Sequence, residues 1–318
     1  MRGGGRKSFL VAALIVAGCG GGSPAGDARP ITLALDFQPN AVHAGAFATV
    51  REGLDRDRDL NLDLRAPSAS TDSLKLLLSG RADASIVDIH DLGLARERGE
   101  DVVGVGAIVQ RPLAAVVARR GVSRPRDLEG QRVGVTGLPS DDAVLRAVVE
   151  SDGGDFSKVR RTTIGFSAVP SLVAKKVAAV VTFWNAEGVA LRERGVPTRE
   201  FRVDQFGAPR YPELVVAVTR ETLRAEPELV RDLVRALAAG TEAALRDRRA
   251  AAREIAAESG ADEPLVRAQL EAVAPALRPA LELNRVQLRR WARFDERFGI
   301  LRSAPDVNRA FAPAARTP

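Results

Sequence analysis

The sequence predicts an α/β protein with two sheets, each covered by helices. Short apolar runs alternate with stretches of helical period through most of the chain. The alternation breaks near Gly121 and starts afresh at Arg132. Size agrees: 318 residues, 45% hydrophobic and 28% charged, suffice for one large or two modest domains with buried cores.

The first half reads as follows. Ile31 to Leu35 is a short apolar strand, closed by a turn at Gln38-Pro39-Asn40. Asn40 then caps a helix with Val42, Ala46 and Val50 on one face. Leu60, Leu62 and Leu64 alternate as a half-buried strand does. Asp72 to Leu78 is helical and ends at Gly80, and Ala84 to Val87 is a strand. A helix from Asp91 to Arg98 stops at Gly99, and Val102 to Val109 and Leu113 to Ala118 are strands.

After the break, Arg132 to Thr136 is a strand, Asp141 to Glu150 a helix and Val159 to Ile164 a strand. Val169 to Ala174 is helical, Ala178 to Thr182 a strand, and Ala186 to Arg194 a helix. Leu214 to Thr219 is one more buried strand. From Glu226 the text is mainly helical, with Leu229, Leu233 and Leu237 on one face.

The N-terminus reads as an address. Arg2, Arg6 and Lys7 precede an apolar run from Phe9 to Gly18, too short to span a membrane but suited to a signal peptide. The run ends in Val16-Ala17-Gly18-Cys19, which resembles the lipobox of bacterial lipoproteins; there residues 1–18 are removed and Cys19 carries the lipid. An ordinary secretory signal with an incidental Cys is the alternative. Three positive charges leave with that segment, taking the net charge from +6 to +3 and weakening any case for nucleic acid. Residues 19–30 contain Gly20-Gly21-Gly22-Ser23-Pro24, the composition of a flexible tether. One Cys and two His make a disulfide, an iron–sulfur cluster or structural zinc improbable, and an acylated Cys19 leaves no thiol for catalysis.

Ligands of open α/β sheets bind beyond the carboxyl ends of the strands. Those ends collect Asp36, Phe37 and Asn40, then Ser68 to Asp72, then Asp88. The second half adds Thr136, Ser140 and Asp141, and finally Phe183-Trp184-Asn185-Ala186-Glu187. Aromatics, amides, hydroxyls and carboxylates without a dense Lys/Arg cluster suit a small polar ring that is stacked and hydrogen-bonded. A sulfonate or nitrate would favour cations and helix N-termini. The sequence lacks the phosphate-binding G-x-x-x-x-G-K-[ST], the zinc-binding H-E-x-x-H and the nucleophile elbow G-x-S-x-G. Gly104-Val105-Gly106 is only a fragment of a dinucleotide motif and reads as a strand-end turn.

Several segments together resemble proteins that handle the pyrimidine precursors of thiamine. These are Leu35-Asp36-Phe37-Gln38-Pro39-Asn40-Ala41-Val42-His43-Ala44-Gly45, Ala107 to Leu113, Gly137 to Asp141, and Phe183-Trp184-Asn185-Ala186-Glu187-Gly188. Ser79-Gly80-Arg81-Ala82-Asp83 is similar to a segment of type II periplasmic binding proteins. The resemblance spans about residues 31–300. It implies two α/β lobes joined by two crossing strands with a ligand cleft between them. Lobe 1 would comprise 31–117 plus 215–318 and lobe 2 would comprise 118–214, with Leu113 to Ala118 and Leu214 to Thr219 crossing. It further implies a monomeric, lipid-anchored receptor at the outer face of the cytoplasmic membrane. That receptor would pass an aminopyrimidine to an ABC permease and its ATPase, with no cofactor, metal or nucleic acid. Phe37 stands where relatives commonly have Trp, so stacking survives with a smaller ring.

Each site residue has a plainer role beside this one. Glu187 fits the first turn of a helix through the macrodipole, and Asn185 could cap that helix. His43 could be structural, as could His90, for which the sequence shows no partner. Asp36 and Asp88 could form turns, and Phe37 and Trp184 could be core. Receptors for alkanesulfonate, nitrate or another small compound remain an alternative function, as does a lipoprotein whose partner is another protein. Eukaryotic relatives make the pyrimidine themselves with pyridoxal phosphate and a Cys-rich motif. A single Cys and an export signal separate this chain from them and point to a binder that is not an enzyme.

Overall fold

A computed structural model describes residue 1 and residues 28–68, 72–138 and 140–313. Cys19, its signal segment, most of the tether and residues 69–71 lie outside the described residues. Two five-stranded mixed sheets organise the rest, one per lobe. The first holds β1 (Arg29–Ala34), β2 (Leu60–Arg65), β3 (Ala84–Asp88), β4 (Val102–Ala107) and β10 (Leu214–Thr219), in the order β2-β1-β3-β10-β4. The second holds β5 (Ala114–Arg119), β6 (Arg132–Val135), β7 (Arg160–Thr163), β8 (Ala179–Phe183) and β9 (Thr198–Arg202), in the order β7-β6-β8-β5-β9. In each sheet four strands run in one direction, and one, β10 in the first sheet and β5 in the second, runs against them.

The helices follow the sequence reading closely. In the first half these are α1 (Ala44–Arg51), α2 (Asp72–Leu78) and α3 (Ile89–Glu97). The second lobe has α4 (Ser140–Ser151), α5 (Ala168–Val173) and α6 (Glu187–Glu193). The C-terminal run comprises α7 (Arg220–Ala225), α8 (Pro227–Arg246), α9 (Arg248–Ser259), α10 (Glu263–Val273), α11 (Arg285–Arg297) and α12 (Val307–Ala310). The buried stripe Leu229, Leu233 and Leu237 turns α8 onto the first lobe. There Gly240 lets it approach α1 so closely that a Cβ would sit 2.0 Å from Thr49 Oγ1.

Three expectations need correction. Gly104 and Gly106 are not a strand-end turn. They lie inside β4, where a Cβ would strike Phe311 and Leu281, so they are small because neighbours press on them. Residues 198–202, unassigned from sequence, form β9; a half-exposed edge strand with charged residues carries no apolar run. The crossing strands are not shared between sheets. β5 is flanked by β8 and β9, and β10 by β3 and β4, which uses the backbone groups on both sides. The chain crosses instead through 108–113 and 203–213, so the lobe boundary expected at 117 falls inside β5. The two crossovers bond to each other where Glu213 N–H donates to the Val109 carbonyl at 3.1 Å, and Ile108 N–H of the first donates to the carbonyl of Leu214, the first residue of β10, at 2.8 Å.

Candidate ligand-binding site

A cavity of about 420 Å³ opens between the lobes, a size typical of small-molecule sites. Strand direction explains what lines it. The carboxyl ends of β1, β3, β6 and β8 face it. So do the amino ends of the antiparallel strands, because Leu214 pairs with Asp88 and Ala114 with Phe183.

From the first lobe come Asp36, Phe37 and Asn40. Asn40 caps the first helical turn through Oδ1, which accepts from Val42 N–H at 3.1 Å. Its own N–H donates to His43 Nδ1 at 3.1 Å. With Nδ1 accepting, the proton sits on Nε2, which donates to Asp36 Oδ1 at 2.8 Å. His43 is therefore buried behind the cavity wall and holds Asp36 rather than facing the cavity.

The second lobe contributes Thr136, Ser140, Asp141, Phe166, Phe183 and Glu187. Asp141 Oδ2 gathers Thr136 Oγ1, Gly137 N–H and Leu138 N–H at 2.9, 2.8 and 3.1 Å, fixing the turn after β6. Gly137 takes φ +100°, which that turn requires. Glu187 opens α6 and accepts from Phe183 N–H at 3.3 Å. Burial pushes its carboxyl up, against the lowering effect of the Thr182 hydroxyl.

Asp88, His90, Asp91 and Glu213 line the cavity from the first lobe and the second crossover. Asp88 Oδ1 caps α3, accepting from His90 N–H at 2.8 Å. His90 has partners the sequence could not show: Asp295 Oδ1 at 2.7 Å from Nδ1 and the Tyr211 hydroxyl at 3.1 Å from Nε2. Burial pushes the carboxyls of Asp88, Asp91 and Glu213 up to about 7. Neighbouring carboxylates push Asp88 and Asp91 the same way, while His90 opposes the shift at all three. Burial pulls the His90 imidazole down, but Asp295 and Asp88 outweigh it and hold it up at about 10. Among the described residues, no group of three His, Cys, Asp or Glu is placed to hold a metal ion.

Besides His43, two expected site residues lie outside the cavity lining. Trp184 is buried, donates from Nε1 to the Pro112 carbonyl at 3.0 Å and carries the Arg202 guanidinium 4.2 Å above its ring. Asn185 is fully buried outside the cavity lining, with no partner for either amide atom, and Ala186 rather than Asn185 precedes α6 as its cap. A chain leaving a strand turns successive side chains to opposite sides, so adjacency in sequence to Phe183 and Glu187 misplaced both.

The sequence reading also missed Phe166, Asp91 and Glu213. Glu213 precedes a strand, and a rule about carboxyl ends passes over it because β10 runs antiparallel. Phe166 follows β7 across a Gly bend, much as Phe37 follows β1, and that parallel was the available signal.

A family model described as NMT1/THI5 like matches residues 40–251. The formylaminopyrimidine-binding protein of Halalkalibacterium halodurans is 31% identical over 74% of this chain and 73% of its own. The 4-amino-5-hydroxymethyl-2-methylpyrimidine phosphate synthase THI5 of Saccharomyces cerevisiae is 24% identical over 68% of this chain and 67% of its own. The alkanesulfonate-binding protein SsuA of Xanthomonas axonopodis superposes with a TM-score of 0.73, covering 90% of this chain and 98% of its own at 17% identity, a likeness of fold alone.

Proposed function

The chain belongs to the NMT1/THI5-like family, and from that premise we propose that it is the substrate-binding component of an ABC importer. It captures an aminopyrimidine precursor of thiamine between its lobes and delivers it to the permease. One observation carries the choice of ligand. The cavity lining has six carboxylate residues, Asp36, Asp88, Asp91, Asp141, Glu187 and Glu213, against three cationic ones: Lys75 and Arg98, both exposed, and the buried His90, which is bonded to Asp295.

A desolvated carboxylate needs hydrogen-bond donors. An aminopyrimidine supplies them at its amino group and has a flat π-face for Phe37 and Phe166. Asp36, held by His43, and Glu187, held by Phe183 N–H, are the acceptors on opposite lobes, so a ligand that bridges them favours closure. A sulfonate or nitrate in the same cavity would meet like charge, which argues against the receptors that share the fold. The chain binds and releases and turns nothing over, unlike the synthases among its relatives.

The lipid anchor belongs to the same proposal. Cleavage after Gly18 leaves an acylated Cys19, and the glycine-rich tether holds a monomeric receptor at the outer face of the cytoplasmic membrane beside the permease and its ATPase. Native mass spectrometry of the purified full chain tests the ligand assignment. A co-purified mass of an aminopyrimidine supports it; a co-purified sulfonate overturns it.

A further inference from the structure

Glu213 belongs at once to the cavity and to both crossovers. It ends the second crossover, directly before β10, and is among the residues that line the cavity although only 1% exposed. Its Oε2 accepts from the N–H of Leu113, the last residue of the first crossover, at 3.0 Å. Its own N–H donates to the Val109 carbonyl, and its carbonyl accepts from Ile89 N–H at 2.9 Å, where α3 begins. The side chain a ligand would meet is thus bonded to the segment about which the lobes would turn.

We propose that Glu213 is a positioning residue that couples ligand capture to the hinge. A ligand N–H donated to its carboxylate stabilises the charged form in a buried setting beside Asp88. The charged carboxylate in turn binds Leu113 N–H more strongly than a neutral one, because a charged acceptor makes the stronger hydrogen bond. Ligand occupancy is thereby converted into a tighter join between the crossovers at 108–113 and 203–213. A ligand without an N–H at this end of the cavity binds without tightening that join. This inference rests on the aminopyrimidine reading of the site.

The test uses the full chain with 4-amino-5-hydroxymethyl-2-methylpyrimidine as probe, combining calorimetry with amide hydrogen exchange. In the wild type, saturating probe should slow exchange at Leu113 at least about tenfold, as expected when a local opening is suppressed. Glu213→Gln keeps an acceptor for Leu113 but loses the charge. Its affinity should fall about tenfold and the ligand-dependent slowing should drop below about threefold. The empty variant should melt no lower than the wild type, since a costly buried carboxylate has gone. Glu213→Asp, the second variant, keeps the charge but withdraws it from Leu113; it should bind the probe yet lose the slowing.

Wild-type affinity and full slowing in Glu213→Gln would overturn the inference alone. So would a lower melting temperature of the empty variant with affinity intact. Failure of the wild type to bind the probe overturns the functional reading, and the inference with it.

Discussion

Phe37 of the first lobe and Phe166 of the second meet edge to face across the cleft, ring centroids 4.3 Å apart and planes at 67°. Neither ring is fully buried; Phe166 is 39% exposed. The pair therefore contributes little to the core and much to the way the lobes meet over a ligand. An aromatic contact of this kind adds about 0.5–1.5 kcal/mol beyond buried area, so Phe166→Ala should weaken ligand binding about two- to tenfold. Melting of the empty protein should barely change. Phe37→Trp enlarges the ring and presses on Phe166. Alone it should weaken binding, and Phe166→Ala should relieve it. A double-mutant cycle by calorimetry reads this coupling.

Glu187 and the aromatics should differ in kind. Glu187→Gln keeps the size but turns one acceptor oxygen into a donor that faces the ligand amine. Binding should fall at least about tenfold, since a hydrogen bond to a charged group is worth roughly 1.5–3 kcal/mol. Stability should change little, because a first-turn Glu contributes only about 0.3–1 kcal/mol through the helix dipole. A lower melting temperature with unchanged affinity would make Glu187 a structural residue.

The raised carboxyls give a signed pH dependence. Asp88, Asp91 and Glu213 bind protons up to about pH 7 in the folded protein, whereas free carboxyls release them well below that. The folded state therefore holds more protons between about pH 4.5 and 7, and stability falls as pH rises through that window. His90, raised to about 10, acts in the same direction at higher pH, where the unfolded imidazole loses its proton first. The empty protein should melt at a higher temperature at pH 5.5 than at pH 7.5. Ligand affinity should move the opposite way, because acceptors must be deprotonated. Asp88→Asn should reduce both slopes. Equal melting temperatures at the two pH values would contradict the buried acidic cluster.

Much of this fold was legible in the sequence because period and breakers agreed. Leu60, Leu62 and Leu64 alternate, and β2 is where they stand. Asn40 caps the turn that its type and place predict. The cleft was half legible. Residues following parallel strands, such as Asp36, Thr136 and Asp141, line the cavity as the carboxyl-end rule expects. Glu213 and the partner of His90 were not, because one depends on an antiparallel strand and the other on Asp295, 205 residues away in sequence. Trp184 and Asn185 show the opposite error: neighbours in sequence to cavity residues, they point elsewhere.

Cys19 carries the prediction about location. Cys19→Ser removes the only thiol of the chain and should release the protein from the membrane fraction. Fractionation of cells followed by immunoblotting checks it, and unchanged membrane retention of the variant would set the lipid anchor aside.

The central claim is that the acidic, aromatic cavity takes an N–H-rich pyrimidine and refuses an anion. Calorimetric titration of the wild-type chain at pH 7.5 tests it most directly. The titrants are 4-amino-5-hydroxymethyl-2-methylpyrimidine, its aminomethyl and formylaminomethyl counterparts, taurine and nitrate. Saturable one-to-one binding to at least one pyrimidine and no heat from taurine or nitrate is the predicted result. Binding of taurine or nitrate, with none of the pyrimidines bound, would contradict the account.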